Sequence, residues 1–548
     1  MSLPSSTYPP LNQPSAQPTS LTTSAASPDC PISILPAELL SVIFTTLKEG
    51  AADSNALKPL SWVVVTWVCQ QWRSLSIENA VLWSDVTFTC NIEYTILMIE
   101  RSKDAPLSLT YFECHKQGQQ KRELLFTILE VEPKRLRTLT LNSTFQAPLF
   151  SPYRSGGSIL KVISPSHILK KLVICGSFRY EDSVAIHEIQ PLMGSPALTH
   201  LEIIRCHLLW DTIPYSPNIR ILKLQNDSRN RPPSLDGFLR SLAALPRLEV
   251  LQLGNMLPVV HQGEREAGEA FKLKPTIPLA STLRSLTIID SLETITAFLL
   301  AVEVTNEILV DLRFAQRPGL KLEDVTKSVA AYQGLRRRTQ AGGLTDKSTP
   351  SHMTRLDFKF FKWKLCNARC WFGNPSLNDQ PSLTLSADAS DLFLIFQAIF
   401  EEIGLEHVKD LTIRGGPLPD EASIAGWKRG EEWTNIIQSF NGLEYLTLDE
   451  TTVDFFPFHK LAHHEAPGPT LCPRLHTLSF HGVPPGDLQD IQPGIERILD
   501  VLRSLQGNCP VKKVQIKDLL GFSEKEYEEL CAGLGEVEWD GRVRDKSA

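Results

Sequence analysis

The first positively charged side chain in this chain of 548 residues is Lys48. Residues 1–30 carry Ser, Thr and Pro but no Lys or Arg, so they offer neither the basic start of a secretory signal nor the arginines of a mitochondrial one. The same stretch has too few large apolar residues to pack, and a disordered tail is expected there. Long apolar runs are also lacking: the longest, residues 392–400, falls far short of the roughly 20 residues that span a bilayer. These absences point to a cytoplasmic or nuclear protein without a membrane partner.

Cysteine is sparse. Eleven thiols, an odd number, are spread along the chain with no secretory signal, which fits reduced side chains better than a disulfide framework. A strong charge of one sign is missing as well. Lys and Arg number 55 against 62 Asp and Glu, a formal −7, which disfavours nucleic acid and anionic membrane as partners.

The common catalytic signatures are absent too: no GxGxxG follows a predicted strand, and GxxxxGK[ST], GxSxG and HExxH do not occur. No enzyme and no cofactor are expected. His459, His463, His464, His476 and His481 gather near Cys472, but prolines interrupt the segment, so a polar surface loop is the expected reading over a metal site. Cys366 and Cys370 lack a second pair at zinc-ribbon spacing. Residues 358–364 mix aromatic and basic side chains, which suits a half-buried strand better than a nucleic-acid platform. Arg336, Arg337 and Arg338 read as a solvated run.

What the chain does have is a recurring pattern, Leu-x-x-Leu-x-Leu with conservative swaps. Twelve copies begin at Leu136, Leu169, Leu198, Ile219, Leu248, Leu283, Leu309, Met353, Val408, Leu443, Leu475 and Val511, and Leu107 opens an incomplete one. Amphipathic segments and breakers precede several copies, as at residues 235–245, and Pro196, Pro217, Pro246, Pro473 and Pro510 stand just ahead of their strands, where a helix can stop. A unit of helix, turn and strand cannot bury its apolar face alone, whereas stacked copies share one core and line their strands in a parallel sheet. A doubly wound fold is the rival architecture, and it lacks its phosphate loop here. Residues 319–351 and 366–381, in the two longest gaps, read as inserted loops.

With period-two alternation, the fourth and sixth positions of each copy face the core, and the third, fifth and seventh face outward. The outward ladder runs through Lys171, His200, Glu202, Lys223, Gln252, Asp311, Arg313, Arg355, Asp357, Lys359, Asp410, Arg414, Tyr445, Asp449, His481, Lys513 and Lys517. From it, Lys171, Lys223, Arg313, Arg355, Arg414, Tyr445 and Asp449 are the candidate contacts to a target protein.

Ahead of the pattern stand LPAELLSVIF (residues 35–44), VCQQWRSL (68–75) and Leu82-Trp83. Pro36 suits a first helical turn, Leu39, Leu40, Ile43, Phe44 and Leu47 recur at helical spacing, and a second helical run is expected over residues 60–75. So small a unit cannot bury all this apolar surface by itself.

This wording resembles the F-box, in the divergent F-box-like version of large fungal families, and the strand pattern resembles irregular leucine-rich repeats. The resemblance implies that Leu35, Pro36, Leu39, Leu40, Ile43, Phe44, Val68 and Trp72 contact a Skp-type adaptor and, through it, a cullin–RING ligase. The expectation is therefore an α/β protein: a tail over 1–30, a helical F-box-like domain over 31–90, an irregular leucine-rich-repeat solenoid over 91–535 and a C-terminal tail over 536–548. The expected function is substrate recognition in an SCF-type ubiquitin ligase. The alternative is a repeat scaffold, with no link to ubiquitination, whose helical module only caps the repeats.

Overall fold

The computed structural model describes residues 35–53, 61–88, 91–112, 118–142, 167–176, 195–205, 216–226, 234–258, 276–315, 321–342, 352–361, 365–372, 380–388, 392–414, 438–449, 472–482, 499, 502, 511–519 and 522–541. The tail expected over 1–30 lies outside them. The chain divides into two compact units, Met1–Asp85 with Ile96–Ala105, and Val86–Thr95 with Pro106–Ala548. The first unit thus joins the N-terminal segment to a later one, Ile96–Ala105.

The first unit begins with the helix Ala37–Asp53. A 3-10 turn, Ser61–Trp67, and a second helix, Gln70–Glu78, replace the single helix expected over 60–75. The β-branched run Val63-Val64-Val65-Thr66 loses side-chain freedom in an α-helix. The new helix starts where the Cys69 Sγ accepts a hydrogen bond from the Trp72 amide at 3.5 Å. Aromatic rings fill the core: Phe44 lies 5.0 Å from Trp72, and Trp62 meets Trp83 edge-on at 5.1 Å. Trp83 Nε1 donates to the Ser76 carbonyl at 2.7 Å, and the Arg101 guanidinium sits 4.4 Å above the same indole. Lys48 ties the first helix to the unit's end through Asp85 at 2.7 Å and the Val81 carbonyl at 2.9 Å.

The strands, in chain order, are β1 Asp85–Thr87, β2 Leu107–Phe112, β3 Leu136–Asn142, β4 Lys171–Cys175, β5 His200–Ile204, β6 Ile221–Gln225, β7 Val250–Gly254, β8 Ile277–Pro278, β9 Ser285–Asp290, β10 Val302–Glu303, β11 Leu309–Phe314, β12 Met353–Phe361, β13 Leu365–Phe372, β14 Leu383–Asp388, β15 Asp410–Arg414, β16 Tyr445–Asp449, β17 Thr477–His481, β18 Lys513–Lys517 and β19 Glu536–Trp539. Seventeen of them form one mostly parallel sheet, and β8 pairs with β10 in a separate ribbon. All twelve copies of the Leu-x-x-Leu-x-Leu pattern contribute strands to that sheet, as does the incomplete copy at Leu107.

The register explains why the pattern repeats. Leu139, Leu172, Leu201, Leu222, Leu251 and Leu286 are successive partners across β3 to β9, so these fourth positions form one continuous buried row, which Val310, a second position, extends into β11. The sixth positions form a second row, from Leu141 to Ile288, which Leu312, a fourth position, extends into β11. Each such side chain contributes roughly 1.5–3 kcal/mol on burial.

Ahead of several strands a tight turn recurs, with the first-position amide bonded to the carbonyl three residues back, as in Leu198 to Ser195, Ile219 to Ser216, Leu248 to Leu245 and Leu475 to Cys472. Pro196, Pro217, Pro246 and Pro473 occupy the second place of these turns, where a fixed φ favours the bend. They shape the turn into the strand, a more local role than stopping a helix. Pro510 lies outside the described residues.

Chain order and spatial order part company once. β11 pairs with β14, β14 with β13, β13 with β12, and β12 with β15, the two pairings within β12–β14 being antiparallel. The short links within this block favour hairpins. Two longer connections must therefore step over it, and the helices Leu322–Gly342 and Leu392–Ile403 lie on them.

This corrects two expectations. Residues 319–351 hold a long helix, and 366–381 begin inside β13. Nor are the arginines simply solvated. Arg336 sits 3.8 Å above the Phe372 ring, and Arg338 Nη2 donates to the Leu299 and Val302 carbonyls at 2.9 and 3.2 Å. At the C-terminus, Glu536–Trp539 pairs with β18, where a tail was expected from residue 536.

Candidate docking surface and polar sheet face

Two surfaces carry the candidate residues. On the first helix, neighbouring stripes about 100° apart take opposite roles. Leu40 and Phe44 are fully buried, whereas Leu39, Val42, Ile43 and Leu47 are exposed, Val42 by 61%. Val64, Trp67 and Val68 are exposed on the following segment, and Trp67 is 74% accessible. A monomer rarely leaves so many large apolar side chains clustered along one short stretch of chain without use.

The eight residues expected to meet an adaptor are split by this geometry. Pro36, Leu39, Ile43 and Val68 are exposed, while Leu35 and Trp72 are half-buried, Trp72 lying against Phe44. Leu40 and Phe44 are buried within the unit itself, because their stripe packs into it. Val42, Val64 and Trp67 were not singled out as contacts. Their signal was present in the alternation of buried Val65 with exposed Val64 and Trp67, which only the 3-10 geometry makes readable.

The second surface is the polar face of the large sheet. On β5 and β6, Glu202 lies 3.3 Å from His200 and 3.4 Å from Lys223. The His200 hydrogen bond first, then the Lys223 charge, hold its carboxyl below the usual range. Lys171 is the register partner of His200. On β11, Arg313 forks back onto Asp311 at 2.8 Å.

Farther along, Arg355, Asp410 and Tyr445 form one row, and Lys359, Arg414 and Asp449 another. The Arg414 Nε stands 3.6 Å from both Asp357 and Asp449. Of the seven expected target contacts, the fold brings Arg355, Arg414, Tyr445 and Asp449 together. Lys171 and Lys223 lie on β4 and β6, and β14 and β13 intervene between Arg313 and Arg355.

Asp357 departs from the outward ladder: its residue is only 2% exposed. Burial pushes its carboxyl above the ordinary range, and Arg414 leads the charges that pull it back. Its Oδ1 has no hydrogen-bond partner. Just above the ordinary carboxylate range the folded state thus holds a proton that the unfolded chain has lost, and stability falls as pH rises through that window. Asp357→Asn is therefore expected to raise the melting temperature at neutral pH, with the gain shrinking as pH falls toward the ordinary range. Thermal melts across that range test this. A lower melting temperature at neutral pH means that the Arg414 pair outweighs burial.

β13 adds Asn367, Arg369 and Trp371 to this face, none of them singled out beforehand. The signal was their alternation with Ala368 and Cys370, both fully buried, inside a segment assigned to a loop. Arg355 lies 4.6 Å above the Trp371 ring. On β17, burial lowers the His481 pKa and favours its neutral ring. His476 meets Tyr445 edge-on at 4.8 Å, and Cys472 is buried, while His459, His463 and His464 lie outside the described residues. No group of three or more potential metal ligands occurs among the described residues, and no described helix is long and apolar enough to cross a membrane.

No protein-family model matches this chain, and no curated protein matches it. The surfaces themselves therefore carry the functional reading.

Proposed function

We propose that this chain is the substrate-recognition subunit of an SCF-type cullin–RING ubiquitin ligase. The N-terminal unit acts as an F-box-like module that docks a Skp-type adaptor. The sheet-bearing unit acts as an irregular leucine-rich-repeat solenoid that holds a target protein on its polar face. Neither surface performs chemistry; ubiquitin transfer follows from holding the target near a separate catalytic subunit.

The observation that carries this reading is the exposed stripe Leu39, Val42, Ile43 and Leu47 beside the buried Leu40 and Phe44. An apolar face outside a formed core suits a partner whose own apolar groove covers it, each anchor contributing on the order of 1.5–3 kcal/mol of burial.

Co-purification with a Skp-type adaptor tests it. Wild-type protein should capture the adaptor stoichiometrically, and Leu39→Asp/Ile43→Asp should lose it with an unchanged circular dichroism spectrum, because both side chains already face solvent. Failure of folded wild-type protein to capture the adaptor would sink the ligase reading.

A further inference from the structure

We propose that the polar face over β13, β12 and β15 binds an acidic segment of a partner protein, with Arg355, Arg369 and Arg414 receiving its carboxylates. This deepens the target-holding half of the proposed function and does not depend on adaptor docking.

Charge is the first support. The whole chain carries −7, yet three guanidiniums and Lys359 converge here on adjoining strands, against the three carboxylates of Asp357, Asp410 and Asp449. Asp357 is almost fully buried, so its carboxylate does not itself meet a ligand. Arg369 is its register partner across β13 and β12, and both Arg369 and Arg355 act on it through space. Among the described residues only Arg414 comes within ion-pair distance of Asp357, at 3.6 Å, while the Arg355 guanidinium lies on the Trp371 ring at 4.6 Å. A basic segment would find Asp449 already 3.6 Å from Arg414.

Unfilled hydrogen-bond capacity is the second. Trp371 Nε1 and Arg414 Nε are donors without an acceptor in hydrogen-bond range, and Asn367 Oδ1 is an acceptor without a donor. Each such buried atom costs about 1–3 kcal/mol, and a cluster of them on neighbouring strands is unusual for a surface that meets only water. Carboxylates satisfy the two donors, and a peptide N–H satisfies Asn367. An inorganic anion supplies only the first. Arginine forks donate two parallel hydrogen bonds to a carboxylate, which adds orientation to the charge. β13 and β15 stand about 9–10 Å apart, a span covered by roughly three residues of extended chain.

Fluorescence anisotropy with the full chain and a labelled Glu/Ala/Tyr peptide tests the site, with a Lys/Ala/Tyr peptide as counterpart. Wild-type protein should bind the acidic peptide saturably, lose affinity as salt is raised, and ignore the basic one. Arg355→Glu/Arg369→Glu should weaken binding by about tenfold or more. Arg355→Gln/Arg369→Gln repeats the test should the reversal disturb folding. Lys170→Glu/Lys525→Glu, exposed in the same unit but away from these strands, should leave affinity within about twofold. No acidic-peptide binding, equal binding of the basic peptide, no loss in either arginine variant, or equal loss in the lysine variant would each overturn the proposal. Adaptor capture is read on the same preparations. Capture without peptide binding removes this site alone, and peptide binding without capture removes the ligase reading alone.

Discussion

Phe44→Ala is expected to unfold the N-terminal unit. The ring is completely buried and lies 5.0 Å from Trp72, so truncation removes its own burial and leaves a cavity between two helices. Phenylalanine truncations of this kind cost about 3–5 kcal/mol, a large share of the roughly 5–15 kcal/mol that holds a whole domain. The first unit is small and leans on few such anchors. Loss of near-UV dichroism from its tryptophans and early proteolysis within Met1–Asp85 would report the change. The contrast with Leu39→Asp/Ile43→Asp is the informative part. Those positions neighbour Leu40 and Phe44 in sequence but face outward, so they are expected to alter docking without altering the melt. A Phe44→Ala protein that melts like wild type would show that the buried stripe has been assigned to the wrong face.

Phe396→Ala is expected to destabilise the sheet-bearing unit where chain order and spatial order diverge. Phe396 stacks on Phe358 of β12 at 4.3 Å and meets Phe440 edge-on at 6.2 Å. It thereby fastens the helix Leu392–Ile403 to β12 and to the turn preceding β16. That helix lies on one of the two connections that bridge the reversed block. Its partner, Leu322–Gly342, is held by Arg338 to the carbonyls of Leu299 and Val302 and by Ser328 to Thr296 at 2.5 Å. Removing the ring should cost about 3–5 kcal/mol and bring forward amide exchange in β12 and β15 before the strands nearer β3. Uniform exchange across the sheet, or a melt within experimental error of wild type, would contradict it.

Much of the second unit was legible beforehand because its signal is local. A strand with one buried face writes that face into every second residue, and the twelve copies of one pattern mark both the strands and their inward positions. Leu222 and Leu224 are buried and Lys223 is not, as period two requires. The prolines before the strands were visible, although their place within a turn needed the hydrogen bond from first-position amide to preceding carbonyl. β13 and β14 escaped for the opposite reason. Neither begins with the recurrent leucine triplet, and the alternation of Asn367, Ala368, Arg369 and Cys370 is short enough to pass for a loop.

The sequence by itself determined where the strands of the repeated pattern lie, most of the positions that form their core, that the polar face mixes both charge signs, and that an apolar helical segment precedes them. Those properties follow from side-chain period and composition, which are carried by consecutive residues. Only the tertiary structure decided that β12, β13 and β14 enter the sheet in reverse, because strand order depends on pairings between distant segments. It alone decided which stripe of the first helix is core, since Leu39 and Leu40 are equally apolar and differ only in direction. It also moved Asp357 from an outward ladder to a buried carboxylate, because the arginines that surround it arrive from β13 and β15, far from it in the chain.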